Sequence, residues 1–140
     1  MTREQKQGFT LRITQANPTQ MIVILYEMTL CYVRDAKTAL ECGQRTELHD
    51  AVRRARGCIG ELMDSLNLKY QPAPALRGLY GFCIRRLAAA EAGETVQALL
   101  EIEKVILPLH DAYEQIADRN SAGAVMNNSQ TVYAGLTYGR

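Results

Sequence analysis

A chain of 140 residues has room for one domain around a single hydrophobic core. With 22% charged residues and a formal net charge of +1, it lacks the basic excess of a dedicated nucleic-acid binder. Its 6% aromatic content, with no Trp, argues against base-stacking platforms. No apolar run approaches the roughly 20 residues that a spanning helix needs, and Met1-Thr2-Arg3-Glu4-Gln5-Lys6 has no apolar stretch behind its charges, so direct membrane insertion is not expected and the cytoplasm is the default compartment.

Residues Arg3 to Thr14 form a weak helix candidate, with Phe9, Leu11 and Ile13 as its apolar content. Gly8 interrupts it, so a mobile or partly ordered arm is expected over residues 1–16.

A strong start signal follows. Asn17 suits an N-cap, Pro18 the first helical position, and Gln20 the capping-box position that reaches back to the cap. Met21 to Tyr26 is an unbroken apolar run of six. At about 100° per residue, six positions cover every side of a helix. The first long helix is expected from Pro18 to about Cys42, with Gly43 as its stop. Its core stripe is Ile22, Leu25, Thr29, Tyr32, Val33, Ala36 and Leu40, flanked by Met21, Tyr26 and Met28. Val23, Ile24, Leu30 and Cys31 then fall towards the wet side. Another segment of the same chain covers this surplus, or a partner does; a movable segment would satisfy both readings.

The second long helix starts at Thr46 or Glu47 and reaches about Leu68, with Leu48, Val52, Ala55, Ile59, Leu62, Met63 and Leu66 at three- and four-residue steps. Its arginines, Arg53, Arg54 and Arg56, read as a solvated face. Gly57 and Gly60 each cost about 1 kcal/mol relative to Ala, and either suit close approach of another backbone or are merely tolerated. Pro72 and Pro74 end one helix and start the next, which runs to Ala92 on the stripe Leu76, Leu79, Tyr80, Cys83, Leu87 and Ala90. The fourth, about Glu94 to Asp118, carries Val96, Leu99, Ile102, Ile106, Leu109, Tyr113 and Ile116. Short connectors make consecutive helices antiparallel neighbours. The expected fold is therefore all-α: an antiparallel up-down four-helix bundle with a short N-terminal helical arm and a flexible C-terminal tail. The expected division is a bundle domain over 1–119 and a linker with an apolar tail over 120–140, ending in Val132, Tyr133, Leu136 and Tyr138.

Catalytic chemistry is not expected. Cys31, Cys42, Cys58 and Cys83 form no Cys-x-x-Cys pair and read as small hydrophobes or helix-end residues. A carboxylate-bridged metal pair needs Glu three residues before His, but Thr46 and Leu107 precede His49 and His110 there. Neither histidine is expected to sit among ligand-type neighbours, and His49 reads as a surface residue rather than a phosphotransfer group. Neither a metal nor a cofactor is called for.

In order and spacing, Thr14-Gln15-Ala16-Asn17-Pro18-Thr19-Gln20-Met21-Ile22 running into Leu25-Tyr26-Glu27 resembles the FliS family of flagellin export chaperones. So do Ala55, Ile59, Glu61, Leu62 and Leu66, and then Leu76, Leu79, Tyr80, Phe82, Arg85, Arg86, Leu87 and Ala90. The two Leu-Tyr pairs, Leu25-Tyr26 and Leu79-Tyr80, are the most specific part. The resemblance implies a non-enzymatic bundle in the bacterial cytosol that binds the disordered C-terminal segment of flagellin. It also implies that the chain blocks premature polymerisation and hands the subunit to the membrane protein of the flagellar export gate. The runner-up is a helical adaptor or scaffold for another secretion or regulatory partner. The flagellin-binding residues expected on this basis are Ile24, Leu25, Tyr26, Met28, Leu76, Leu79, Tyr80 and Cys83.

Two departures from the family pattern stand out. The arm has no Tyr to lie over the client groove, leaving Phe9 as its only aromatic, and Tyr113 stands where a Trp is common. Docking of the tail in cis on the groove or beside it, through Val132, Tyr133, Leu136 and Tyr138, is expected to shield the apolar surplus; contact with a second chain, as in a homodimer, and a tail that simply frays are the alternatives.

Overall fold

The computed structural model describes residues 1–93 and 95–121. Five helices follow one another: α1 (Arg3–Gln15), α2 (Pro18–Glu41), α3 (Arg45–Asp64), α4 (Ala73–Glu91) and α5 (Gln97–Ser121). Helix α2 packs on α3 and α5, α3 on α4, and α4 on α5, which closes a four-helix ring; α1 lies against α2 outside it. Lys37–Glu103 and Glu27–His110 pair in opposite chain directions, so α2 and α5 are antiparallel.

Local sequence explains the boundaries. The Asn17 side chain accepts from the Gln20 amide at 2.8 Å, and the Gln20 side chain accepts from the Asn17 amide at 3.0 Å. Gly43 and Gly93 adopt φ of +69° and +79° just beyond α2 and α4, where a β-carbon would be strained. Helix α3 stops at Asp64, short of the expected Leu68. There the Ser65 hydroxyl donates to the Leu62 carbonyl, and Leu66 still turns into the core while Leu68 stays exposed. The apolar spacing thus outlasts the helix by two residues.

The arm is more regular than expected. Helix α1 runs straight through Gly8, started by a capping box in which Thr2 accepts from the Gln5 amide and Gln5 accepts from the Thr2 amide. Gly57 and Gly60 show no close approach, because a β-carbon built at either meets nothing within 4 Å. They are tolerated rather than required.

The placement of the α2 surplus needs correction. Val23, Ile24 and Leu30 are buried, at 5%, 2% and 5% exposure, and Cys31 is half-buried. The physical reason is that α2 has three neighbours, α1, α3 and α5, so its apolar stripe is wider than one core face, and its exposed strip narrows to Arg34, Thr38 and Glu41. Among the described residues no helix is long and apolar enough to cross a membrane. The expectations for Val132, Tyr133, Leu136 and Tyr138 lie outside the described residues.

Candidate functional site

The seam between α1 and α2 differs from the rest of the interior. Two cross-links set its register: the Met1 ammonium pairs with Asp35, and Arg12 Nη1 donates to Glu27 Oε1 at 2.5 Å. The arm therefore runs antiparallel to α2. Phe9 is its one buried helical residue, and Ile13 and Ala16 are half-buried, at helical steps of four and three. On α2 the matching stripe is Ile24, buried, then Met28 and Cys31, half-buried, at the same steps. Leu11, on the other side of α1, is 60% exposed.

Ile24 and Phe9 are buried yet stand outside the main hydrophobic cluster, which takes Ile22, Val23, Leu25, Tyr26 and Leu30 from α2. The expected surplus therefore splits in two. Val23 and Leu30 belong to the bundle; Ile24 lies on the seam.

Where the arm meets the start of α2, the end of α5 completes a cavity of about 280 Å³. Ala16, Val23, Ile24 and Ala117 supply its apolar lining, and Arg12, Glu114 and Asp118 supply charge.

Glu27 is the electrostatic centre of the seam. One carboxylate oxygen takes Arg12, and the other takes His110 Nε2 at 2.8 Å. His110 Nδ1 faces Asp111 at 2.9 Å, and Glu114 stands 3.8 Å from Nε2. Both ring nitrogens thus face carboxylates, which only accept, so the geometry calls for the doubly protonated imidazolium. Burial alone would lower the His110 pKa, but the hydrogen bonds to Glu27 and Asp111 outweigh it and raise it. Burial alone would raise the Glu27 pKa, but Arg12 and His110 hold it below the ordinary carboxylate value.

Sequence reasoning missed this cluster, although Glu114 lies one helical turn after His110 and the signal was present. Glu27, His110 and Glu114 carry ligand atoms within 4.8 Å of one another. An imidazolium offers no lone pair to a metal, so the arrangement works as an ion-pair node joining α1, α2 and α5.

The structure divides the eight sequence-proposed contact residues. Leu25, Tyr26, Leu76, Tyr80 and Cys83 are buried in the main core. The Tyr26 and Tyr80 hydroxyls lie 2.6 Å apart, and the Tyr26 ring packs 5.9 Å from that of Tyr113. Burial raises both phenol pKa values and pushes the Cys83 thiol up to about 12, so the thiol stays protonated at neutral pH. Ile24 lines the cavity beside the arm, and half-buried Met28 packs against the main cluster. Leu79 is 39% exposed on α4, beside half-buried Phe82. The Arg86–Glu101 pair joins α4 to α5, on which Leu107 is 47% exposed.

Three comparisons bear on this arrangement. The family model "Flagellar protein FliS" matches residues 1–120, from the arm to the end of α5. The chain is 25% identical to the flagellar secretion chaperone FliS of Bacillus subtilis over 118 residues, covering 81% of this chain and 89% of that protein. It is 26% identical to the flagellar secretion chaperone FliSB of Pseudomonas aeruginosa over 119 residues, covering 84% of this chain and 94% of that protein. The chain belongs to the FliS family of flagellar proteins.

Proposed function

We propose that this protein is a non-enzymatic export chaperone that binds the disordered C-terminal segment of flagellin in the cytoplasm, keeps it from polymerising and helps deliver it to the flagellar export gate. The observation that carries the reading is the seam. Ile24 on α2, buried but outside the main cluster, lines a cavity with Arg12 and Ala16 of the arm, whose helix buries one side chain of its own, Phe9.

Magnitudes favour a displaceable cover. Burying one Phe contributes about 1.5–3 kcal/mol. Exposed ion pairs such as Arg12–Glu27 add about 0–1 kcal/mol each. A helix of 13 residues is marginal on its own. A disordered client that buries roughly 1,000–3,000 Å² on binding has more to offer Ile24 than the arm does.

In this reading α1 yields Ile24 to a helical part of the client, which also takes Met28 and Cys31. An extended part continues across Leu79 and Phe82 on α4 and Leu107 on α5. Leu25, Tyr26, Leu76, Tyr80 and Cys83 serve as the frame beneath these surfaces. Calorimetric titration with a flagellin C-terminal peptide of about 40 residues tests the proposal, a length on the scale of the interface above. Stoichiometric binding supports it, and no heat or binding at any temperature counts against it.

A further inference from the structure

We propose that Glu27 is a specificity determinant for the client: a helix that displaces α1 must bring a basic side chain to Glu27 in place of Arg12, one helical turn from a large apolar residue. The client is the flagellin segment of the function proposed above, on which this role of Glu27 rests.

Lifting the arm upsets a balance of charge. Around Glu27 and along the adjoining cavity stand the carboxylates of Glu27, Asp111, Glu114 and Asp118, with Arg12 and His110 as the cations among them. Glu27 divides its oxygens between those cations, Oε1 to Arg12 at 2.5 Å and Oε2 to His110 at 2.8 Å. With α1 gone, Oε1 loses its donor and His110 alone offsets the carboxylates.

A client on the seam cannot leave Glu27 to water. Ile24 and Glu27 are three residues apart on α2 and therefore neighbours on one face of the helix. A client helix laid over Ile24 covers Glu27 as well. Ile24 also shares the cavity lining with Arg12 and Ala16, so taking Ile24 means displacing the turn of the arm that carries Arg12. A carboxylate covered without a partner is costly, whereas one that receives a guanidinium or ammonium gains a charge-assisted hydrogen bond.

The arm supplies the template for the replacement. Phe9, its one buried helical residue, and Arg12 are three residues apart, and the Arg12 guanidinium lies 5.6 Å from the centre of the Phe9 ring. One helical turn thus carries both the apolar contact and the cation. The cavity suits the same chemistry: Val23 and Ala117 line it beside Glu114 and Asp118, so the aliphatic stem of a Lys or Arg finds apolar cover while its head reaches a carboxylate. An acidic client residue at that position would meet Glu27, Glu114 and Asp118 and be repelled, which adds discrimination against the wrong segment.

The test uses the full-length chain and a flagellin C-terminal peptide of about 40 residues, with each Lys and Arg of the peptide replaced in turn by Gln. One replacement is expected to weaken binding to the natural protein by about threefold to tenfold and to leave binding to Glu27→Gln nearly unchanged. Glu27→Gln also loosens the arm, but that acts on every peptide alike and cancels in the comparison. If every replacement costs the same against both proteins, Glu27 reads no client cation; the proposal is overturned and the flagellin reading stands. Arg12→Gln keeps Glu27 and removes the resident cation, so the unaltered peptide should bind it about threefold to tenfold tighter. Equal or weaker binding overturns the exchange of one cation for another, and this outcome remains readable if Glu27→Gln fails to fold. A peptide that binds none of these proteins overturns the flagellin reading, and the role of Glu27 with it.

Discussion

Tyr26 on α2 and Tyr80 on α4 meet hydroxyl to hydroxyl at 2.6 Å, with both side chains fully buried. Neither hydroxyl can turn to water, so each depends on the other. Tyr80→Phe leaves the Tyr26 hydroxyl without this partner and is expected to lower stability by about 1–3 kcal/mol, as should Tyr26→Phe. The double variant should lose less than the sum of the two, because no orphan remains. Urea unfolding of the four proteins checks the cycle; strict additivity would mean that the hydroxyls do not satisfy each other.

The ion-pair node predicts a pH dependence with a definite sign. His110 has a raised folded-state pKa, so its stabilising contribution is full below the unfolded value, about 6.5. It is lost as pH rises through the higher folded value. Glu27 works the other way: its folded pKa is lowered, so its contribution is present above the unfolded value and lost as pH falls through the folded one. Thermal midpoints from pH 5.5 to 8.5 should fall with rising pH more steeply for the natural protein than for His110→Gln. Parallel curves would remove His110 from the node.

Ile24→Asp separates seam from core. Beside the arm, an unpaired carboxylate is costly to bury, and the cheapest relief is to release α1. Circular dichroism should lose a signal equivalent to about the 13 residues of α1, while the bundle unfolds cooperatively as before. Flagellin-peptide affinity should drop, since the stripe now carries a charge. A bundle that no longer folds would place Ile24 in the main core instead.

Leu79→Asp probes the α4 surface. At 39% exposure the change should alter stability by no more than about 0.5 kcal/mol, and client affinity should fall. A stability loss of about 2–5 kcal/mol would mark Leu79 as a core residue.

The long helices were legible because three- and four-residue apolar steps and helix caps are local properties. Asn17 with Gln20, and the stops at Gly43 and Gly93, gave the matching ends directly. The end of α3 was not legible, because Leu66 keeps the spacing after the backbone has turned. The fate of Val23, Ile24 and Leu30 was not legible either. Periodicity tells how much of a helix is apolar, but not which neighbour covers it. The Leu-Tyr pairs carried the family likeness, yet Tyr26 and Tyr80 proved to bind each other. The arm was underrated because Gly8 was weighed without the Thr2–Gln5 capping box, and without Asp35 and Glu27, which hold the arm from 15 or more residues away.

The central claim is that α1 must leave Ile24 before a client can occupy the Ile24–Met28–Cys31 stripe. Amide hydrogen exchange over residues 3–15, with and without saturating flagellin C-terminal peptide, measures this directly. The arm amides should lose their protection when the peptide binds, while those of Ile24, Met28 and Cys31 keep theirs. An arm that stays equally protected, or becomes more so, in a saturated complex would contradict the account.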